Sequence, residues 1–480
     1  MTGDPRWQSP LTTRYASPAM QQFWGEPYRI GRWRRVWLAL AEAERELGLD
    51  IPDAALAEMR AHLDDADLDV AAAYERRFRH DVMAHVHAYG EQAPAARPYL
   101  HLGATSAFIT DNADVMIIRE SLALVLGRSL GILEALRAFA RQHAELPCLA
   151  YTHFQPAQLT TVGKRATLWM QELALDVESL VHRIEALRLR GCKGTTGTQA
   201  SFLELFAGDH AKVRELERRI VAKLGFDRCF PATGQTYSRK ADAQVLDSLS
   251  GVAQSAAKFG LDMRLLQHEG ELLEPFETEQ IGSSAMAYKR NPMRAERMGA
   301  LARHVISLQA SGAHTAAAQW LERTLDDSAN RRLTLPEAFL ASDAILLLWQ
   351  NIASGLEVRP VAIARHVAEQ MPFMATERWL MVGVRAGGDR QELHEVIRRH
   401  SLGAAGSVAG GASNNLLDRL SADPAFAIVD RDALHAELDP SRYTGRSREQ
   451  VAEFLTEYLD PLVSRARSVA AQAEHAEVAV

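Results

Sequence analysis

VLDSLSGVAQSAAKFGLDMRLL, Val245 to Leu266, carries apolar side chains at Val245, Leu249, Val252, Ala256, Phe259, Met263 and Leu266. Spacings that alternate between three and four keep one stripe of a helix apolar, and strict repetition suits helices packed nearly parallel, at about +20°. A second stripe of the same form runs through Leu173, Val177, Leu180, Ile184 and Leu187. Further helical patterns cover about 107–145, 293–320 and 335–354, the last with Thr334 and Pro336 as start signals and Gly355 as its stop. Five long helices predict a bundle. Alternating β-branched runs bounded by turn pairs are scarce, so the fold class is mostly α. A composition shift near Gly355 to Pro360 marks a boundary, and the region before about residue 105 reads as a separate helical unit.

The bulk composition agrees with a globular chain of two or three domains. Its 480 residues are 47% hydrophobic and 24% charged. The longest purely apolar run, Ala344 to Trp349, falls far short of the roughly 18 residues that cross a bilayer. MTGDPRWQSP at the start has no apolar stretch to serve as a signal peptide, and Cys148, Cys192 and Cys229 are too far apart for any zinc spacing. These features predict a cytoplasmic protein with no membrane partner. A net charge of −7 argues against a nucleic-acid partner, although a few arginines in one cleft still suffice to hold a small anion.

Four segments interrupt the helices with groups able to do chemistry. Ile281 to Pro292 (IGSSAMAYKRNP) is a polar loop whose N–H groups near Gly282, with Lys289 and Asn291, can hold a carboxylate and the charge that builds when a neighbouring carbon loses its proton. A loop serine is a candidate base once cations and N–H donors depress its pKa; the plain alternative is a helix–loop–helix connection. Tyr151 to Gln158 (YTHFQPAQ) sets His153 shortly before Pro156, which reads as a helix start, and histidine suits general-acid work near neutral pH. RHDVMAHVH places His80 and His87 seven apart, on one helical face, without the paired Glu-x-x-His elements of metal-binding bundles. Finally, arginines flank small polar residues in Ser9 to Tyr15 and in Glu322 to Arg332, where they are either an anion site or a solvated, internally paired face. No Walker loop or GxGxxG follows a strand pattern.

Taken together, these segments resemble the fumarase/aspartase superfamily, whose signature loop reads GSS followed by M, K and NP, here Gly282 to Pro292. Within it the chain is similar to the animal-like adenylosuccinate lyase family, through RHDVMAHVH, GATSAFITDN, THFQPAQLTTVGKR, KGTTGTQASF, ERTLDDSANRR and PFMATE, which span nearly the whole sequence. The resemblance implies a three-domain, mostly helical subunit divided at about 1–105, 106–358 and 359–480, with the central helices forming the core of a homotetramer and active sites shared between subunits. It implies β-elimination of fumarate from succinylated purine nucleotides, with no metal and no organic cofactor. His153 would be the general acid and Ser283 the base, with Ser284 the alternative. Arg14, Tyr15, Arg323, Ser328 and Arg332 would bind the nucleotide. Arg79, His80, Asp81, Thr105, Ser106, Thr152, Gln235 and Arg297 would complete the pocket, and Lys289 and Asn291 would hold the succinyl carboxylates. Ala287 departs from the family pattern, which has proline there and so a stiffer loop. A lyase for another succinylated nucleotide and a non-catalytic helical scaffold are the competing readings.

Overall fold

A computed structural model describes residues 6–470 of the chain. The N-terminal part contains helices α1 (Pro18–Trp24), α2 (Glu26–Glu46), α3 (Asp53–Ala61), α4 (Leu68–Phe78) and α5 (Asp81–Gln92). Next come α6 (Ser106–Gln142), a hairpin of β1 (Pro147–Thr152) and β2 (Gln155–Thr161), and α7 (Val162–Ala186). Helices α8 (Ala200–Leu205), α9 (His210–Lys223) and α10 (Lys240–His268) follow, then the short strand β3 (Leu272–Leu273). Helices α11 (Met293–Ala318) and α12 (Asp326–Ser354), strand β4 (Glu357–Val358) and α13 (Pro360–Met374) lead into the shorter C-terminal helices.

The five long helices form the bundle because their apolar stripes have one another to cover. Every residue of the Val245–Leu266 stripe is buried, and Phe259 lies between Trp169 of α7, edge-on at 5.1 Å, and Trp349 of α12, stacked at 5.2 Å. Each such side chain removed from water contributes about 1.5–3 kcal/mol, so this seam outweighs any local preference of the helices. Polar contacts along the seam set the helix directions. Trp169 Nε1 donates to Asp262 and Ser255 Oγ to Asp176, which runs α7 and α10 antiparallel. Asn330 donates to Ser311, pairing the start of α12 with the later part of α11. Gly163 in the first turn of α7 donates to the His143 carbonyl, and a Cβ there would lie 2.3 Å from the Ala140 carbonyl oxygen, so only glycine lets α7 start this close to the end of α6.

The bundle therefore has two ends. At one lie the β1–β2 hairpin, the loop after β3 and the C-terminus of α12. At the other lie the N-termini of α6, α10 and α12. Beside the bundle core, a second apolar cluster joins α2 to α9 and the start of α6, and a third lies within 375–434. The first residues cross over to the bundle, where the Ser17 N–H donates to Asp343 at 2.7 Å and Arg128 pairs with the same carboxylate at 2.5 Å.

Two boundaries differ from the sequence expectation. Helix α12 begins at Asp326, not at Thr334, and Pro336 sits inside it. Acidic Asp326 and Asp327 suit the positive end of the helix dipole, and the missing proline N–H removes one helical bond from a segment already held by Arg331 and Asp327. Pro156 does not start a helix either. It lies in β2 opposite Tyr151, and the helix opens six residues later with Thr161 as its cap. Among the described residues no helix is long and apolar enough to cross a membrane.

Candidate active site

At the hairpin end, Thr152 pairs with Gln155, leaving His153 and Phe154 as a two-residue turn. Both adopt positive φ, 52° and 59°. That is the mirror-image turn whose twist matches the strands, and it normally calls for Asn or Gly. Histidine and phenylalanine held there are strained, at a cost of order 1 kcal/mol or more each, and such strain gathers where function fixes a side chain. The strands are locked from below: Arg165 Nη2 donates to the Leu149 carbonyl at the β-bulge, and Arg165 faces the buried Glu271 carboxylate. The His153 side chain is exposed, at the tip of a rigid support.

At the same end of the bundle, the loop from Glu274 to Pro292 is clamped at its ends and free at its crown. Glu274 accepts from the N–H groups of Arg294 and Ala295 at 3.1 and 2.6 Å, capping α11, while Gln267 donates to the Arg290 carbonyl and Arg290 pairs with Glu357. Asn291 donates to the Gly282 carbonyl at 2.7 Å, closing the base of the loop. Between these ties, Ile281 and Tyr288 are 77% and 85% exposed. Ser283 Oγ accepts from the N–H groups of Ala285 and Met286 at 3.3 and 3.1 Å; no such donors reach Ser284 Oγ among the described residues. Two N–H dipoles aimed at one oxygen favour its negative form. Lys289 stands exposed one turn away, its N–H bound to the Met286 carbonyl. Arg297, on the first turns of α11, lies 5.5 Å from the Tyr15 ring, and Arg14 precedes Tyr15 on the same N-terminal turn.

The remaining candidates gather at the other end. His80 does not share a helix face with His87: it lies just before α5 and caps it, its Nδ1 accepting from the Met83 N–H, while Nε2 faces Ser106 Oγ at 3.3 Å. His87 instead packs on Tyr74 and Phe78. Asp81 pairs with Arg332 at 2.8 Å. Burial pushes the Asp81 carboxyl up, but the Val82 N–H and Arg332 outweigh it and hold the group below the usual carboxylate range. Thr105 immediately precedes α6 without a side-chain capping bond, Arg79 ends α4 with φ 56°, and Ser328 lies in the first turn of α12. The Gln235 N–H donates to the Glu322 carbonyl at 2.9 Å, next to Arg323, which binds Asp327 at 2.8 Å. The two groups do not meet within one chain. Helix α6 separates Ser106 from the hairpin by 37 residues, roughly 55 Å at about 1.5 Å per residue.

Behind the far group lies a buried charge network that takes in Asp327 and Arg331, from the segment that the sequence leaves open between an anion site and a solvated, paired face. Arg239 is clasped by Asp111 at 3.0 Å and Asp327 at 2.6 Å, and Arg331 by Asp114 at 3.0 Å and Asp242 at 2.6 Å. Tyr237 closes the set, its N–H on Asp111 and its hydroxyl on Asp242. Asp111 is buried, yet Arg239 and Arg331 keep it below the usual range; burial pushes Asp114 up. Arg190, fully buried, donates to the carbonyls of Gln235, Gly191 and Gly194 and so fixes the backbone at Gln235. These groups come from separate stretches of the chain, near residues 111, 190, 240 and 330, and no local pattern reveals them.

Comparison with known proteins settles the family. A lyase family model matches residues 26–307, and a model of the adenylosuccinate lyase C-terminus matches 372–454. Adenylosuccinate lyase from Saccharomyces cerevisiae is 49% identical over 94% of this chain and 94% of its own length; that from Schizosaccharomyces pombe is 47% identical with the same coverage. The chain belongs to the adenylosuccinate lyase family. It is thus a lyase of the fumarase/aspartase superfamily, as its signature loop implies. A solved structure of 3-carboxy-cis,cis-muconate lactonizing enzyme from Pseudomonas putida, 24% identical over 95% of this chain and 98% of its own, superposes with a TM-score of 0.80, and a fumarate lyase from Mesorhizobium sp. BNC1, 24% identical over 96% and 100%, with 0.77. The long-helix bundle of this adenylosuccinate lyase family member is therefore the architecture shared by those enzymes.

Proposed function

We propose that this lyase eliminates fumarate from adenylosuccinate, giving AMP, and from the succinylated aminoimidazole carboxamide ribotide SAICAR, giving AICAR, as a cytoplasmic homotetramer. The observation that carries the mechanism is the pair of N–H donors on Ser283 Oγ, in a loop tied at both ends. Ser283 takes the proton from the carbon next to the leaving nitrogen's carbon. The electron pair left behind spreads into the adjoining carboxylate, which Lys289, Asn291 and the loop N–H groups stabilise. Collapse of that pair forms the fumarate double bond and breaks C–N, while His153 gives its proton to the departing nitrogen. The N–H donors favour Ser283 over Ser284 as the base.

Arg14, Tyr15, Arg323, Ser328 and Arg332 hold the nucleotide, and Arg79, His80, Asp81, Thr105, Ser106, Thr152, Gln235 and Arg297 shape the pocket. Because the hairpin and the Ser106 end lie about a helix length apart, a complete site draws on more than one subunit. Exposed leucines on the bundle helices, Leu168, Leu175, Leu261 and Leu265, supply apolar surface for that assembly. The experiment is to add purified protein to each substrate separately and follow fumarate and nucleotide release. Release from both supports the reading. A folded protein inert on both overturns it.

A further inference from the structure

A cavity of about 380 Å³ opens where the last turn of α7, the first turns of α10 and the early part of α6 converge. None of the residues assigned above to catalysis or nucleotide binding lines it. One wall is cationic, with His182, Arg183, Arg188 and Lys240. The floor is apolar, with Val115, Ile118, Leu187, Phe230 and Val245. Asp242 is the lone acid of the lining, and it is already engaged by Arg331 at 2.6 Å and by the Tyr237 hydroxyl. By contrast, the side chains of His182, Arg188 and Lys240 make no hydrogen bond or ion pair with any described residue. Arg183 uses one nitrogen on Gln244, and its Nε is buried with nothing to donate to.

Cations on a surface normally sit among acids or point into water, and a buried guanidinium N–H left without an acceptor costs free energy that a bound anion would recover. Here His182 and Lys240 are exposed, but Arg183 and Arg188 are half-buried and still have donors unused, including the planar fork of Arg188, above an apolar floor that includes an aromatic ring. We propose that the cavity is a binding site for a small phosphate ester with a flat apolar group, the phosphate held by Arg188 and Lys240 and the ring lying on Phe230 and Leu187. Fork-shaped and ammonium donors both suit a tetrahedral dianion, and the volume admits a single aromatic ring with its phosphate. Because α10 leads from this cavity along the bundle to the loop that carries Ser283, the site is also placed to report the ligand to the active-site end.

The test uses phenyl phosphate as the probe, titrated into the full chain by calorimetry, with inorganic phosphate in parallel. Arg188→Met/Lys240→Met is compared with the parent, and with Arg323→Met to mark binding in the substrate pocket. The proposal predicts a phenyl phosphate site that the double variant weakens by about tenfold or more and Arg323→Met leaves intact, since losing two charge-assisted contacts is worth at least that factor. It also predicts weaker binding of inorganic phosphate, which lacks the ring. Unchanged titration in a double variant with native circular dichroism overturns it, as does loss of all binding in Arg323→Met alone. Where the double variant does not fold, Lys240→Gln on the exposed first turn of α10 is titrated instead, with the same two outcomes.

Discussion

Glu44 lies in α2, with 0% of its surface exposed and neither carboxylate oxygen hydrogen-bonded among the described residues. Burial alone pushes its pKa from the ordinary 4.5 to about 9. The folded protein therefore keeps this carboxyl protonated at pH 7, whereas the unfolded chain ionises it. A group whose folded pKa is raised contributes fully below the unfolded value and loses that contribution as pH rises towards the folded one, by about 1.4 kcal/mol per pH unit. Between pH 4.5 and pH 7 the loss reaches roughly 3 kcal/mol, and it stops growing above about 9. Glu44→Leu, of similar volume, removes the titration and the unsatisfied oxygens together. The variant's advantage over the parent should grow by roughly 3 kcal/mol between pH 4.5 and pH 7, on top of a pH-independent gain from removing the unsatisfied oxygens. Urea unfolding followed by tryptophan fluorescence, to which Trp33 and Trp37 on the same helix contribute, measures the stability. A difference between parent and variant that stays flat from pH 5 to pH 8 would refute the reasoning.

His153→Ala should lower kcat by about 10²–10⁴ while leaving the circular dichroism spectrum unchanged, because the exposed ring supports no other group. Asp343→Asn strips the charge that Arg128 and the Ser17 N–H share in the bundle; breaking a buried pair costs about 3–5 kcal/mol, so the melting temperature should fall clearly, and an unchanged one would contradict the contact. Ala287 is the second residue of the Met286–Lys289 turn, where proline is favoured and would reduce the freedom of the open loop, so Ala287→Pro should close faster than the parent in stopped-flow fluorescence without altering the chemical step; equal closure rates would remove the idea.

The bundle was legible because its stripes are long and regular: Val245 to Leu266 gives the same face turn after turn, and all seven apolar positions are buried. The His153 turn was not legible as a turn. Two-residue hairpins are read from Asn-Gly or Asp-Gly, and here His153 and Phe154 adopt the positive φ values without that chemistry, so Pro156 looked like a helix start. Pro336 misled in the same way, since a proline that ends most helical patterns lies inside α12, with Asp326 and Asp327 opening the helix. The charges in Glu322 to Arg332 could not be sorted by sequence. Arg332 is exposed and Asp327 completely buried, and what separates them is Arg239, eighty-eight residues away in the chain. The polar groups of the loop were easier to group together, because Gly282, Ser283, Lys289 and Asn291 lie within ten residues.

The proposal that each site is shared between subunits is tested most directly by mixing two inactive variants, one from each end of the bundle. His153→Ala alters the hairpin end, and His80→Ala the end at Ser106. After joint dissociation and reassembly, random mixing should leave roughly one site in four with both native residues, so activity should return to about that fraction of the native rate. A mixture that stays as inactive as its components, despite confirmed exchange of subunits, would place both groups in the same chain and contradict the account.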